Sequence, residues 1–291
     1  MNVGFVGEFS SFSEMWGTPK GIKIAFEKLG YNTIEFGYDP NNCNFDELIN
    51  RVDEYDFLIV WSCGPHPTLD SELKRLKQSI QKKILLELGD EPQTKWMNAG
   101  RIHHADAIFT PDLRCHLEYK SMGINSHWLT HWGDEFIFNY DESIVRENRC
   151  ITTCGDRGLE MIKNKLGELF INKRIPVEDN HNFYNSGTIC LQKSRYDEIT
   201  RRIFEAGGCK LAVVTDHISS ETGIYDLFKH GEDILYYSNI ENAINHIELL
   251  LKDSDLRNYL ANNLFNKINT LHRAETRVKQ LISIYNELKN I

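Results

Sequence analysis

Imidazole and carboxylate side chains follow directly after two short apolar runs, where they could take part in proton transfer. His66 lies in "CGPHP" after the run "DFLIVWS", and Glu87, Asp90 and Glu91 lie in "ELGDEP" at the end of "KILLEL". A histidine in such a position can orient a substrate hydroxyl or act as a general base, and a carboxylate can do the same. The alternative for His66 is a structural histidine. We take His66 and Glu91 as candidate catalytic residues.

A glycine-containing turn, "CGDRG" at residues 154–158, is a candidate phosphate site because an apolar run changes there into a helical pattern. Gly155 would allow a phosphate to approach the backbone, and Arg157 would supply positive charge, as would Arg201 and Arg202 in "RRIFEAGG". A surface turn is the alternative for Arg157, and a solvated helix face is the alternative for the other two arginines. The ligand that these residues predict is a nucleotide.

The first half of the chain alternates between strand-like runs and helical patterns, which predicts βαβ units and a doubly wound parallel sheet. The strand-like runs are "VGFVG", "NTIEFG", "DFLIVWS", "KILLEL", "DAIFTPD" and "SHWLTH".

Residues 135–148, "EFIFNYDESIVREN", have weak periodicity and indicate a linker, after which the alternation begins again. The later strand-like runs are "CIT", "LFIN", "GTICLQ", "KLAVVTD" and "ILYYS". Glu205 lies in a helical segment between the third and the fourth of these runs. The fold class predicted is α/β, with two Rossmann-like domains at residues 1–140 and 141–291.

Composition limits the cellular compartment and the binding partners that we expect for the chain. No apolar run among the 291 residues approaches the roughly 18 needed to span a bilayer, and no signal peptide is recognisable, so we expect a cytoplasmic protein. Seven cysteines without a CxxC motif predict reduced thiols and no metal site. Residues 1–140 carry 13 Lys and Arg against 20 Asp and Glu, a net charge of −7, which disfavours nucleic-acid binding there.

The stretch "NFYNSGTICLQKSRYDEITRRIFEAGGCKLAVVTD", with "YDLFKHGEDILYYSN" and "HRAETR", resembles the C-terminal domain of GT-B glycosyltransferases. The similarity covers residues 149–289 and is greatest to spore-maturation-type glycosyltransferase-like proteins, then to the glycosyl transferases group 1 family. It implies two Rossmann-like domains that face a central cleft, with the acceptor on residues 1–140 and the nucleotide sugar on 141–291. It also implies that the final helix packs back on the N-terminal domain.

The resemblance implies that Glu205 binds the ribose hydroxyls of the nucleotide. Charge-assisted hydrogen bonds from a vicinal diol suit that role. Asp197 stands where the family usually has Glu, facing the donor sugar. The alternatives are a helix cap for Asp197, at capping-box spacing from Ser194, and an i,i+4 ion pair with Arg201 for Glu205.

The loop "TDHISSETG" offers further side chains to the donor sugar, among them Asp216, Ser220 and Thr222. A plain turn is the alternative for each of these residues.

The function predicted is transfer of a sugar from a UDP- or GDP-sugar co-substrate to a hydroxyl of a glycan or small molecule. The resemblance implies retention of configuration and no bound metal. Two alternatives stay open: a DNA-modifying glycosyltransferase that acts on hydroxymethylated bases, and a non-catalytic nucleotide-sugar-binding protein.

Overall fold

The computed structural model describes residues 1–8, 18–62, 64, 66–89, 91–155, 158–176 and 179–290. The chain forms two compact units. The first contains Met1–Thr130 together with Ala274–Ile291, and the second contains His131–Arg273. The assignment of acceptor binding and nucleotide-sugar binding to separate domains stays a prediction.

The first unit contains a six-stranded, fully parallel sheet in the order β2-β1-β3-β4-β5-β6. The four inner strands are mostly buried, as the continuous apolar runs of the sequence predict, whereas the two edge strands are only partly buried. The strands are β1 (Asn2–Glu8), β2 (Asn32–Tyr38), β3 (Phe57–Trp61), β4 (Lys83–Glu87), β5 (Ala107–Thr110) and β6 (Ser126–Trp128).

Helices connect these parallel strands. They are α1 (Thr18–Lys28), α2 (Asp46–Asn50), α3 (Leu69–Ser79), α4 (Lys95–Asn98) and α5 (Leu113–Ser121). Asp112 caps α5, since its carboxylate accepts a hydrogen bond from the Cys115 backbone N–H at 3.2 Å. One face of the sheet packs on α3 and α5 through Leu73 and Tyr119, both buried in the core.

The second unit contains a five-stranded parallel sheet in the order β11-β10-β9-β7-β8. Successive residues of its strands face opposite helix layers. In β9, Cys190 packs with Phe204 and Leu264, whereas Leu191 packs with Ile162 and other residues on the opposite face. The strands are β7 (Cys150–Thr152), β8 (Phe170–Asn172), β9 (Ile189–Gln192), β10 (Ala212–Asp216) and β11 (Leu235–Tyr237).

The helices of the second unit are α6 (Glu160–Leu166), α7 (Asn180–Ser186), α8 (Arg201–Gly208), α9 (Ile224–Leu227), α10 (Ile240–Lys252) and α11 (Ser254–Leu271). The predicted α/β class with two parallel sheets is confirmed. Two helices, α7 and α11, were not expected from the sequence. Among the described residues, no helix has the length and apolar character to cross a bilayer.

The last helix, α12 (Ala274–Lys289), belongs to the first unit although it follows the second in sequence. Its Tyr285 ring stacks on Phe57 of β3 at a centroid distance of 4.1 Å. Its buried Arg277 donates from Nε to the Thr130 carbonyl oxygen at 2.8 Å. These contacts anchor α12 to the sheet of the first unit.

Candidate functional site

The loop that follows β7 has a backbone shape that few side chains tolerate. Gly155 and Gly158 adopt φ values of 68° and 72°, in the left-handed region that favours glycine. The Asn172 side-chain amide, at the end of β8, donates to the Gly155 carbonyl oxygen at 2.6 Å and so fixes the loop to the neighbouring strand. The sequence predicted a phosphate site at Gly155. Arg157, predicted beside it, lies outside the described residues.

The loop that contains Gly155 and Gly158 is called the glycine loop below. Three basic side chains surround it. A Cβ built on Gly155 would lie 3.5 Å from Nε of Arg174, and one built on Gly158 would lie 3.7 Å from Nζ of Lys193. Arg202, at the start of α8, donates from Nε to Thr153 Oγ1 at 3.0 Å. The loop therefore lies among cations from three separate segments.

Sequence reasoning missed Arg174 and Lys193. The signal was available, since Lys193 directly follows β9 and Arg174 lies two residues beyond β8. The carboxyl ends of neighbouring parallel strands lie at one edge of a sheet, so residues just beyond them come together.

A directed chain of hydrogen bonds joins the loop to Glu205. Arg202 Nε donates to Thr153 Oγ1, so the Thr153 hydroxyl can donate to the Tyr184 oxygen, at 3.4 Å. The Tyr184 hydroxyl in turn donates to Glu205 Oε2 at 3.3 Å. Burial raises the pKa of Tyr184 well above its ordinary value, so this phenol stays a donor at neutral pH. Glu205 is the terminal acceptor of the chain.

The ion pair that the sequence offered as an alternative for Glu205 is present. Arg201 Nε lies 3.7 Å from Glu205 Oε1, but only 22% and 14% of the two side chains are exposed. The pair is thus partly buried rather than on a solvated helix face. Arg201 also lies over the Trp132 ring, at 5.9 Å from its centroid. The second Glu205 oxygen is directed by Tyr184, so Arg201 and Tyr184 hold the carboxylate in one orientation.

The capping-box alternative for Asp197 is wrong. Helix α8 begins at Arg201, with Thr200 as its N-cap, and the segment from Ser194 to Thr200 is not helical. Asp197 has a φ of 53°, which interrupts any helix, and its Oδ1 accepts from the Ser219 backbone N–H at 2.6 Å. Asp197 therefore ties the loop after β9 to the loop after β10.

Asp216, at the end of β10, makes the second tie between these loops. Its carboxylate accepts from the Ser194 backbone N–H at 2.9 Å and from the Ser194 hydroxyl at 2.5 Å. Ser220 is exposed in a short 3-10 turn that begins the connection to α9. Thr222 is fully buried, and its hydroxyl donates to the Ser219 carbonyl oxygen at 2.7 Å. Thr222 thus stabilises the turn.

His66, predicted as catalytic, lies in the first unit just beyond β3. Its Nε2 is 3.1 Å from Glu8 Oε1, at the end of β1, and its ring meets Tyr38 edge to face at 5.5 Å between centroids. The residue is only 4% exposed. A carboxylate that lies beside one ring nitrogen fixes the orientation of the imidazole ring.

Glu91, the other carboxylate predicted to be catalytic, lies in a buried polar network. Its Oε1 accepts from the Tyr119 hydroxyl and from the Asn98 side-chain amide, the latter at 3.0 Å. Burial, with a contribution from Asp112, raises the pKa of Glu91. Glu91 is 3% exposed, and its hydrogen bonds go to side chains inside the first unit.

The structure thus brings part of the predicted set together. Gly155, Arg202, Arg201 and Glu205 form one group in the second unit, and Asp197 and Asp216 organise the loops after β9 and β10. His66 and Glu91 belong to the first unit. Within the described residues, no group of three or more His, Cys, Asp or Glu side chains could hold a metal ion.

Comparison with known proteins gives a family match for the second unit. Residues 152–283 match the family model described as glycosyl transferase-like. No curated protein matches the chain by sequence. The matched residues lie within residues 149–289, the segment that resembles the C-terminal domain of GT-B glycosyltransferases. The resemblance is confirmed.

Solved structures resemble the whole chain. Sucrose-phosphate synthase from Thermosynechococcus elongatus is 11% identical, with a TM-score of 0.72 over 100% of this chain and 99% of that one. An α-glucosyltransferase in complex with UDP and a 13-mer DNA is 12% identical, with a TM-score of 0.68 over 98% of this chain and 100% of that one. Anabaena HepE in complex with UDP and glucose is 12% identical, with a TM-score of 0.65 over 99% and 100%. These likenesses show the GT-B fold.

Proposed function

We propose that this chain, which has the GT-B fold and matches a glycosyl transferase-like family over residues 152–283, transfers a sugar from a nucleoside diphosphate sugar to an acceptor hydroxyl. The observation that carries the proposal is the group formed by the glycine loop, its three basic neighbours and Glu205. All of them lie at or beyond the carboxyl ends of strands in one sheet or on the helix that follows β9. Ligands of open α/β sheets bind at that edge.

The diphosphate would lie against the glycine loop. Gly155 and Gly158 leave room for phosphate oxygens to approach the backbone, and Arg174, Lys193 and Arg202 surround them with positive charge. The same cations would stabilise the charge that develops on the diphosphate as the bond to the sugar breaks. We therefore propose a metal-independent transfer, which predicts activity in the presence of EDTA.

Glu205 would bind the ribose. Its carboxylate can accept two hydrogen bonds from the vicinal hydroxyls, and such charge-assisted bonds are stronger than those between neutral groups. Tyr184 and Arg201 hold the carboxylate in place before the nucleotide binds. Pre-orientation of this kind lowers the entropy that binding would otherwise lose.

The donor sugar would lie near the loops after β9 and β10, which Asp197 and Asp216 tie together. Asp197 and Ser220 have exposed side chains in these loops and could contact its hydroxyls. On the acceptor side we propose the first unit, with His66 and Glu8 as the pair that orients the acceptor hydroxyl.

The resemblance to retaining enzymes leads us to propose retention of configuration, which NMR of the product anomer tests. The six described cysteines are free thiols, which supports the cytoplasmic setting proposed from the sequence.

A thermal-shift panel of UDP-, GDP- and ADP-sugars tests the proposal. A ligand that binds the folded protein stabilises it by RT ln(1 + [L]/Kd), so the cognate donor should raise the Tm. The Glu205→Ala variant should lose most of that rise. Glu168→Ala, which removes an exposed glutamate of the same unit, should keep it.

The ligand-free Tm of each variant shows whether the substitution has damaged the fold. Equal responses of the two variants, or no response of the wild type to any nucleotide sugar, would contradict the ribose role of Glu205. Stabilisation without transfer to any acceptor would favour a nucleotide-sugar-binding protein instead.

Modification of DNA is the second candidate function, because one similar structure is an α-glucosyltransferase in complex with UDP and DNA. The net charge of −7 over residues 1–140 opposes it, since duplex binding depends on basic side chains. A gel shift with hydroxymethylated duplex DNA at low and high salt discriminates between the two. Salt-sensitive binding, with sugar transfer to the duplex, would favour DNA as the acceptor.

A further inference from the structure

A cavity of about 430 Å³ lies in the first unit, beside the edge strand β6. We call it the β6 pocket. Its walls come from three segments: α5, the stretch around β6, and α12. The lining residues are His116, Lys120, Ile124, Asn125, Ser126, His127, Trp128, Leu129, Gln280, Ser283 and Ile284. Volumes of this size are typical of sites for small molecules.

The polar part of the lining is made of hydrogen-bond donors and bases. One ammonium, two imidazoles, two amides and two hydroxyls line the pocket, and its lining residues include no carboxylate. The unit that contains the pocket, residues 1–130 and 274–291, holds 20 acidic against 16 basic residues, so the lining differs in composition from its surroundings. A cavity that gathers donors in acidic surroundings favours a negatively charged ligand.

Both imidazole rings are held in place. His116 Nδ1 lies 3.1 Å from Ser126 Oγ, and His127 Nε2 lies 3.1 Å from Asn125 Oδ1. His127 also stacks on Phe109, with 5.5 Å between ring centroids. Each ring has a second nitrogen that could bond to a ligand. Ring positions fixed in this way are a requirement for a pre-formed site.

We propose that the β6 pocket binds a small organic anion, with its phosphate or carboxylate group near Lys120 and the two histidines. The apolar body of the ligand would pack on Ile124, Trp128 and Ile284, which supply the hydrocarbon part of the lining. An oxyanion beside an ammonium and imidazole donors forms charge-assisted hydrogen bonds.

This pocket is distinct from the residues proposed for sugar transfer. The glycine loop and Glu205 belong to the second unit. His66 follows β3, and β4 and β5 lie between β3 and β6 in the sheet. Neighbouring strands are about 4.8 Å apart, which separates β3 from β6 by roughly 14 Å. The inference therefore does not depend on the proposed transfer.

The charges around the two histidines determine how binding should vary with pH. Burial lowers the pKa of both His116 and His127. The charges of Lys120 and His127 lower the pKa of His116 further. For His127, burial is the largest cause, Glu287 of α12 opposes it, and Lys120 reinforces it. An anion stabilises the protonated rings, so its affinity should rise as the pH falls through the pKa values of the complex.

The test uses the full chain labelled with ¹⁵N-histidine and three aromatic probes: phenyl phosphate, benzoate and neutral benzyl alcohol. One or both anions should shift the His116 and His127 resonances in a saturable way, with a Kd of about 1 mM or tighter. Lys120→Gln should weaken that binding about fivefold or more. Lys74→Gln, which removes an exposed lysine of α3 in the same unit, should leave it unchanged.

Tighter binding of phenyl phosphate than of benzoate would identify a phosphorylated ligand, and the reverse order a carboxylated one; either supports the proposal. Three results would overturn it: no saturable shift with either anion, equal binding of benzyl alcohol, or equal weakening by both lysine variants. No nucleotide is present in the experiment, so its failure is independent of any failure in sugar transfer.

Discussion

The ends of the strands in the two sheets hold similar polar residues but use them differently. In the first sheet the charged groups bond to neutral polar groups inside the protein: Arg101 donates to Ser62 Oγ at 2.7 Å, and Glu91 accepts from Tyr119 and Asn98. In the second sheet, Arg174 is exposed beside a glycine loop. The difference teaches that a position after a strand does not by itself indicate a ligand site.

Glycine makes the difference in the second sheet. A loop with two left-handed glycines leaves space beside the backbone, and cations around such a space can reach a ligand. Around Glu91 the space is filled by side chains, so its charge is buried and its hydrogen bonds are internal. Substitutions of structural residues should therefore change the stability of the fold, whereas substitutions at the glycine loop should change the affinity for a nucleotide.

The largest effect is expected from Glu91→Ala. The substitution leaves the Tyr119 hydroxyl and the Asn98 amide without their buried acceptor, which should lower the free energy of unfolding by about 3 kcal/mol. Urea denaturation measures the loss. Glu91→Gln, which keeps an acceptor oxygen, is the matched control and should lose less. A Glu91→Ala protein with wild-type stability would show that this network does not support the fold.

The same residue predicts a dependence of stability on pH. The pKa of Glu91 is raised in the folded state, so its contribution is fully present below its ordinary pKa near 4.5 and is lost as the pH rises through the folded pKa. The stability of the wild type relative to Glu91→Gln should therefore fall over a pH series that rises from 4.5. A difference that stays constant over this range would contradict burial as the cause.

An intermediate effect is expected at Asp197, a residue of the second unit with a structural contact. Asp197→Ala places alanine at a φ of 53° and removes the acceptor of the Ser219 N–H. Together these changes should cost about 1.5 kcal/mol. Asp197→Asn tolerates the same backbone and keeps an acceptor oxygen, so it should stay within about 0.5 kcal/mol of the wild type. Thermal denaturation compares the two, and equal losses would exclude the proposed tie.

The smallest effect is expected at Arg174. Arg174→Gln should leave the Tm unchanged and weaken UDP binding about fivefold, or roughly 1 kcal/mol, with less effect at high salt. Its exposed neighbour Lys173 is the matched control, and Lys173→Gln should change the affinity less than twofold. Calorimetric titration at two salt concentrations measures both. Equal losses would indicate general electrostatic attraction rather than a site at the glycine loop.

Much of the fold was predictable from the sequence, because buried parallel strands appear as continuous apolar runs and the helices between them have helical periodicity. The helix α7 was missed because "NHNFYNS" lacks a regular apolar spacing. A helix that starts at Ser194 was offered as an alternative because Ser194 and Asp197 have the spacing of a capping box, whereas Asp197 instead bonds to a loop that lies 22 residues later.

The candidate site was predictable only in part. The resemblance pointed to Glu205, and the glycine turn pointed to Gly155. Tyr184 was missed because its contact with Glu205 spans 21 residues, and Arg174 was missed because it has no motif of its own. Such residues are brought to the site by strand order, which local sequence patterns do not specify.

Helix α12 has a consequence for synthesis of the protein. The sheet of the first unit is complete once Trp128 has been translated, yet the Tyr285 ring that stacks on Phe57 is made only after residues 131–273. At about 5–20 residues per second, those 143 residues take roughly 7–30 s. The packing of Phe57 in the first sheet is therefore completed only by the last part of the chain to be made.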